Sequence, residues 1–400
     1  MKKIFAAFAT FLYIISGCGQ DGQSSLCDGD FIRVDVTANY PKKELILQDF
    51  MDVEYIPLET NEEFVTSSLI RAITEEIIII HNRGRFANGD IFIFDRSGKG
   101  VRKINRKGQG GEEYMNIGGI TLDEQNGEIY VNSHWSRKII VYDLFGNFKR
   151  SFPHKEGTFY FPIRHFNQDH LIVQDGENTF YEEIKANSFS IISKQDGSVI
   201  MEIPIPFQEK KMPGIMVKDG DGNIINDAAP YNPDLIPFRD SWILVEPSSD
   251  TICRLGTDYS LKPFIVKTPS IQSLDPEVFL YPSVLTDRYY FMQTVKKEFD
   301  FTTGTGYPRT NLLYDRKENR LFEYVVYNDD FVNKEPVNMA FDIHALIVIN
   351  RDDIACLYQL EAYDLVEAYN EGRLKGTLKE IAAELEEESN PVIMVIRNKK

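Results

Sequence analysis

The chain has 400 residues and a formal net charge of −17 at pH 7. A surface so acidic repels phosphate, which argues against nucleic acid as a partner and disfavours anionic lipid headgroups. Four cysteines without C-x-x-C spacing exclude a zinc ribbon or a dithiol redox motif; Cys253 and Cys356 lie in apolar runs and read as buried thiols.

The N-terminus reads as a targeting segment. Lys2 and Lys3 precede an apolar run from Ile4 to Ile15, which is shorter than the roughly 20 residues a bilayer span needs. The run ends at Ile15-Ser16-Gly17-Cys18, which resembles a bacterial lipobox, where small residues admit a lipoprotein signal peptidase to the bond before a lipid-bearing cysteine. The expectation is a signal peptide over residues 1–17, lipid on Cys18, a tether over residues 18–44 and a folded domain over residues 45–400. The partner so implied is a lipid bilayer reached through that lipid. Gly19 follows the cysteine where inner-membrane retention signals place Asp, which points to the outer membrane.

The chain then repeats itself. Ile91-Phe-Ile-Phe-Asp95-Arg-Ser-Gly98 followed by Val101 to Ile104 is a strand, an Asp-x-x-Gly turn and a second strand. The grammar returns at Ile139 to Gly146 with Phe148 to Phe152, at Phe189 to Gly197 with Val199 to Ile205, and in weaker form around Thr251 and Asn311. Such spacing suits the blades of a β-propeller. The second unit is the sharpest. It runs Gly119-Ile-Thr-Leu-Asp123, Gly127-Glu-Ile-Tyr-Val131, Lys138 to Asp143 and Gly146-Asn-Phe148, and it resembles an NHL-type propeller blade.

Applied along the chain, the pattern predicts five blades, over 69–104, 117–152, 161–205, 235–266 and 284–326. Three strands remain, at 345–349, 353–359 and 392–397. Val53-Glu-Tyr-Ile-Pro-Leu58 is placed to complete that last blade, which removes an open sheet edge. The expected fold is therefore all-β, a six-bladed propeller with a short helical insertion over residues 361–388. Within it Thr377-Leu-Lys-Glu380 reads as a capping box. The lipobox, the segment Met51 to Thr60 and the Phe-Asp and Tyr-Asp hairpins together resemble a family of six-bladed propeller lipoproteins of Bacteroides-type bacteria, whose biochemistry is largely unassigned.

In a four-stranded blade the loops after the second and fourth strands emerge on one face, around the mouth of the central channel. In blades one and two the second-strand loops carry His81, Arg83, Arg85, His134, Trp135 and Arg137. Guanidinium groups offer paired donors to carboxylate or phosphate, and the indole offers a stacking face. These six residues are the candidate binding site. The function expected is an envelope recognition module taking a peptide, a glycan or an envelope protein. The NHL-type resemblance also implies an alternative, a metal-dependent lyase or lactonase-type hydrolase with its site in the channel. The six histidines show no HxxxH or HxH pair, and Arg137 stands where the lyase-like blade has its loop histidine. Asp219-Gly-Asp221-Gly-Asn223 lacks the twelfth-position glutamate of a calcium loop and reads as a turn. No Gly-x-Ser-x-Gly elbow, Walker A loop or HExxH is present, so no metal site and no cofactor are assigned.

Overall fold

A computed structural model describes residues 31–66, 69–82, 88–176, 189–342 and 345–399. Cys18, Arg83 and Arg85 lie outside these residues. The described chain is a six-bladed β-propeller. Blades one to three are consecutive four-stranded antiparallel sheets, over Leu69–Asn105, Gly119–Pro153 and Tyr160–Ile203. Blade four spans Leu235–Thr268 and blade five Val278–Asn328. Blade six takes Leu346–Val348, Ile354–Leu360 and Val392–Asn398, with Met51–Pro57 as its outermost strand.

The strand sequences follow from where each strand sits. The two middle strands of a blade are covered by a neighbouring blade on both sides, so they read as unbroken apolar runs. In blade one these are Ile77-Ile-Ile-Ile and Ile91-Phe-Ile-Phe, almost wholly buried. The outer strand Gly100–Asn105 alternates between half-buried and exposed side chains because one face meets water. Period-two alternation then sends successive side chains to opposite neighbours. Ile79 and Ile93 pack with Ile129 and Val131 of blade two, whereas Ile78, Ile80 and Phe92 pack with Leu357 and Val395 of blade six. Each remaining pair of neighbouring blades is joined by a cluster of the same kind. Burial between blades therefore holds the ring together.

Closure is by the N-terminal segment. Met51–Pro57 runs antiparallel to Val392–Asn398 with Val53 opposite Ile396 and Pro57 opposite Val392. Pro57 is tolerated because an outermost strand has an edge that needs no donor. One boundary is corrected. The tether expected over residues 18–44 includes Ile32–Asp35, which pairs parallel to the outer strand of blade four, and Lys42–Ile46 begins inside it and pairs likewise on blade five. These are lone strands whose partners lie more than 200 residues away, so a search for local hairpins passes over them. Lys43 adds a side-chain bond to its host blade, reaching Asp315 at 2.7 Å and Glu318 at 2.6 Å.

The two faces of the ring differ. On one, the first-to-second and third-to-fourth strand connections are tight turns. Asp95, Asp143, Asp196 and Asp258 each accept the backbone N–H two residues on, at 2.8–3.0 Å. On the other, the connections grow into a hairpin (Ile215–Lys218 with Ile224–Ala228), a shorter hairpin (Phe299–Asp300 with Thr305–Gly306) and the helices Ala362–Asn370 and Gly376–Ala382. The helices bury Leu365, Ala368, Leu378 and Ala382 against Phe331 and Val392. The expected capping box does not form, because the helix begins at Gly376 with Lys375 in the cap position and no side-chain cap. Asp219 forms a plain turn, accepting from the backbone of Asp221 and Asn223.

Candidate functional site

A cavity of about 1090 Å³ occupies the centre of the ring, lined by the innermost strands of blades one, two, three, four and six and by loops of both faces. Its charge runs against that of the whole chain. Arg71, Lys107, Arg164, Arg239 and Arg351 line it, against the carboxylates Glu124 and Asp240. Aromatic side chains complete the lining on the elaborated face: Trp135, Phe159 and Phe161, with Tyr231 and Phe341 at a centroid distance of 5.6 Å.

Of the residues singled out from sequence, His81, His134 and Trp135 line this cavity. His81, at the end of the second strand of blade one, is buried, and Arg71 Nε donates to its Nδ1 at 3.1 Å. His134 opens a single 3-10 turn, His134–Ser136. Asn116 Nδ2 lies 2.7 Å from its Nδ1, and Phe159 meets the ring edge-on at 5.5 Å. Burial lowers its pKa, which keeps the imidazole neutral at pH 7. Gly118 makes this position accessible, since a Cβ there would lie 2.2 Å from His134 Nδ1. Trp135 is 75 % exposed, and its backbone N–H is held by Asn116 Oδ1 at 3.2 Å. Arg137 is exposed and is not among the lining residues; its left-handed backbone (φ 48°) ends the turn and its carbonyl accepts the N–H of His154.

Beneath this loop sits His154, a buried imidazole with both nitrogens used. Its Nε2 donates to Asn132 Oδ1 at 3.0 Å and its Nδ1 accepts the N–H of Tyr160 at 3.2 Å. Burial, then the charge of Arg137 and that of His134 once it is protonated, push its pKa down to about 4. Toward the short-turn face, the buried ammonium of Lys194 meets the buried carboxylate of Asp123 at 2.5 Å and lies 3.1 Å from His165 Nδ1. Burial alone would raise the Asp123 carboxyl, but Lys194 and Asn126 outweigh it and hold it low. This pair joins blade two to blade three.

Sequence reading did not single out Arg71, Arg164, Tyr231 or Phe341. The first two belong to innermost strands, where a polar residue in an apolar strand reads as solvent-facing; here the solvent side is the lumen of the ring. Both cysteines placed in apolar runs are buried free thiols, and burial raises Cys253 to about 11. Among the described residues no three His, Cys, Asp or Glu side chains gather as a metal-binding group.

Residues 31–397 match the family described as Domain of unknown function (DUF4934), and the chain belongs to that family. No curated protein is significantly similar to it. Among solved structures, it is similar to a Bacteroides fragilis protein described as exported, at 16 % identity and a TM-score of 0.60, covering 90 % of this chain and 99 % of that one. A member of the DUF4221 family from Bacteroides vulgatus follows at 9 % identity and a TM-score of 0.49, covering 88 % and 99 %. Virginiamycin B lyase from Staphylococcus aureus is at 11 % and 0.36, covering 87 % and 100 %. At these identities the likeness is one of fold alone, and it carries no chemistry across.

Proposed function

We propose that this DUF4934 protein is a binding module of the cell envelope, held to the outer membrane by lipid on Cys18, which captures a peptide, glycan or envelope-protein segment at the elaborated face of its propeller. The observation that carries this reading is the central cavity. It is the size of a ligand site, it is rimmed on one face by aromatic side chains, and it concentrates positive charge inside a chain of net charge −17. Every long insertion of the ring stands on that same face, as expected of a rigid scaffold presenting variable loops. Asn116 holds the His134 ring and the Trp135 backbone N–H, which supports a loop fixed before any ligand arrives.

Two measurements test the reading. Full-length protein in detergent, screened on peptide and glycan arrays, should give hits that weaken at least tenfold in a Trp135→Ala, Asn116→Ala variant. Hits indifferent to that variant would place binding elsewhere. Separately, Cys18→Ala should leave the membrane fraction or stay unprocessed, and fatty-acid label still incorporated into it would refute the anchor.

A further inference from the structure

Arg164 stands apart from the other cations of the cavity. It lies on the innermost strand of blade three, one residue before His165. Arg239 pairs with Asp287 and Asp352, and Arg351 with Glu124 and Asp353. Arg71 is engaged with His81. Among the described residues, no carboxylate reaches ion-pair distance of Arg164. Its one hydrogen bond goes from Nη1 to the carbonyl of Ile163 at 3.0 Å. Burial lowers the arginine's pKa, and the Tyr231 phenol acts against that. A half-buried guanidinium that lines a cavity without a counter-charge is open to a ligand that supplies one. Among the described residues its Nε and Nη2 donate to no acceptor, and this fork of donors suits a carboxylate.

The surroundings narrow the ligand. Tyr231 and Phe341, a stacked pair, line the same cavity, and so does Phe161 of Arg164's own strand. Aromatic faces and one cation in the same cavity suit a ring carrying a negative group. One unpaired guanidinium neutralises one charge, which fits a carboxylate; a phosphate monoester carries about −1.5 to −2 and would leave the excess unmatched.

We infer that Arg164 anchors the carboxylate of a ring-bearing ligand in the central cavity, with Tyr231 and Phe341 against the ring. This deepens the binding reading above and rests on it only in taking the cavity to be the ligand site.

The experiment uses the full-length protein in detergent. Benzoate, acetate, phenyl phosphate and the neutral benzamide are titrated against melting temperature and against the side-chain NMR signals of arginine. Benzoate should raise the melting temperature of the parent saturably, acetate less, and benzamide not at all. One arginine Nε signal should move with benzoate and be missing from Arg164→Met. That variant should bind benzoate at least tenfold more weakly and, without ligand, melt about 2 °C or more above the parent, because an uncompensated charge is gone. Arg164→Lys should keep part of the benzoate response, which guards against a variant that fails to fold.

Three results would overturn the inference: Arg164→Met binding benzoate like the parent, Arg164→Met melting below the parent, or a parent without saturable benzoate response. Tighter binding of phenyl phosphate would overturn the carboxylate assignment. Array hits that survive any of these would leave the binding reading standing without Arg164. An Arg164-dependent benzoate site in a protein without array hits would do the reverse.

Discussion

The two faces of this propeller are made from the same strands but obey different constraints. The third-to-fourth turns of the short-turn face repeat one solution: an Asp carboxylate folds over the next residues, a glycine (Tyr259 in blade four) takes a left-handed backbone, and the chain reverses. Nothing there exceeds what is needed to return a strand. The opposite face repeats nothing. It carries two hairpins, a helical pair and a cavity rim of histidine, tryptophan and phenylalanine. Strand pairing fixes where a turn begins and ends on either face; only on the second is its length left free. The short-turn face should therefore respond to mutation in stability, and the elaborated face in recognition.

The largest expected effect lies where the ring is joined. Deleting residues through Leu58 removes the outermost strand of blade six and the two parallel strands before it, and exposes an edge. The melting temperature should fall by more than about 10 °C, or cooperative folding should be lost. Deleting residues 19–30 alone should shift it by less than about 2 °C. Equal loss in both truncations would show that closure does not depend on this strand.

On the short-turn face, Lys194→Met leaves the buried Asp123 carboxylate without its cation. Chemical denaturation should show a loss of about 3–5 kcal/mol. Lys194→Met combined with Asp123→Leu should recover most of it. A single variant as stable as the parent would mean that the pair contributes nothing. Next comes Gly98→Ala, at a backbone φ of 86° where an added Cβ would lie 2.0 Å from the Pro57 carbonyl. This turn is pressed against the closing strand, with Glu59 N–H donating to Gly98 O at 2.8 Å. The expected cost is about 2 kcal/mol or more, from strain and from displacement of that strand. Each of these variants should keep the benzoate response of the parent.

The elaborated face yields a smaller, pH-dependent term. His154 has its folded pKa lowered to about 4, from an unfolded value of 6.5. Its contribution is fully present above pH 6.5 and is lost as pH falls through 6.5 toward 4, because the unfolded chain takes up the proton first. The slope of stability against pH in that window should flatten in His154→Gln; an unchanged slope would assign it to other groups. The smallest effect is that of Trp135→Ala. An indole 75 % exposed contributes little to folding, so stability should change by less than about 0.5 kcal/mol while recognition suffers.

How much of this was legible in sequence follows the same division. The blades announced themselves because a middle strand covered on both sides must be apolar throughout, and because each Asp-led turn sits at a fixed place in its blade. The closing strand was legible from the need to cover an edge. The parallel strands at 32–35 and 42–46 were not, since a single strand has no turn to mark it. The candidate site was read from loops alone. That reading grouped His81, His134 and Trp135, which line the cavity, with Arg137, which stands at the end of the 3-10 turn and outside the lining. Arg164 was overlooked because the sequence Tyr160-Phe-Pro-Ile-Arg-His165 does not say that the innermost strand's free edge looks into a lumen.

The N-terminal strands have a consequence in time. Ile32–Asp35 pairs with residues 265–268, Lys42–Ile46 with residues 323–327, and Met51–Pro57 with residues 392–398. The part of the folded domain that leaves the ribosome first must wait longest for its partners, while blades one to three already have all their strands by residue 203. A nascent chain shorter than 261 residues offers residues 32–57 no native sheet to join. A chain that cannot close its ring before its last strand is made stays open at that seam until then, whatever its first blades have already formed.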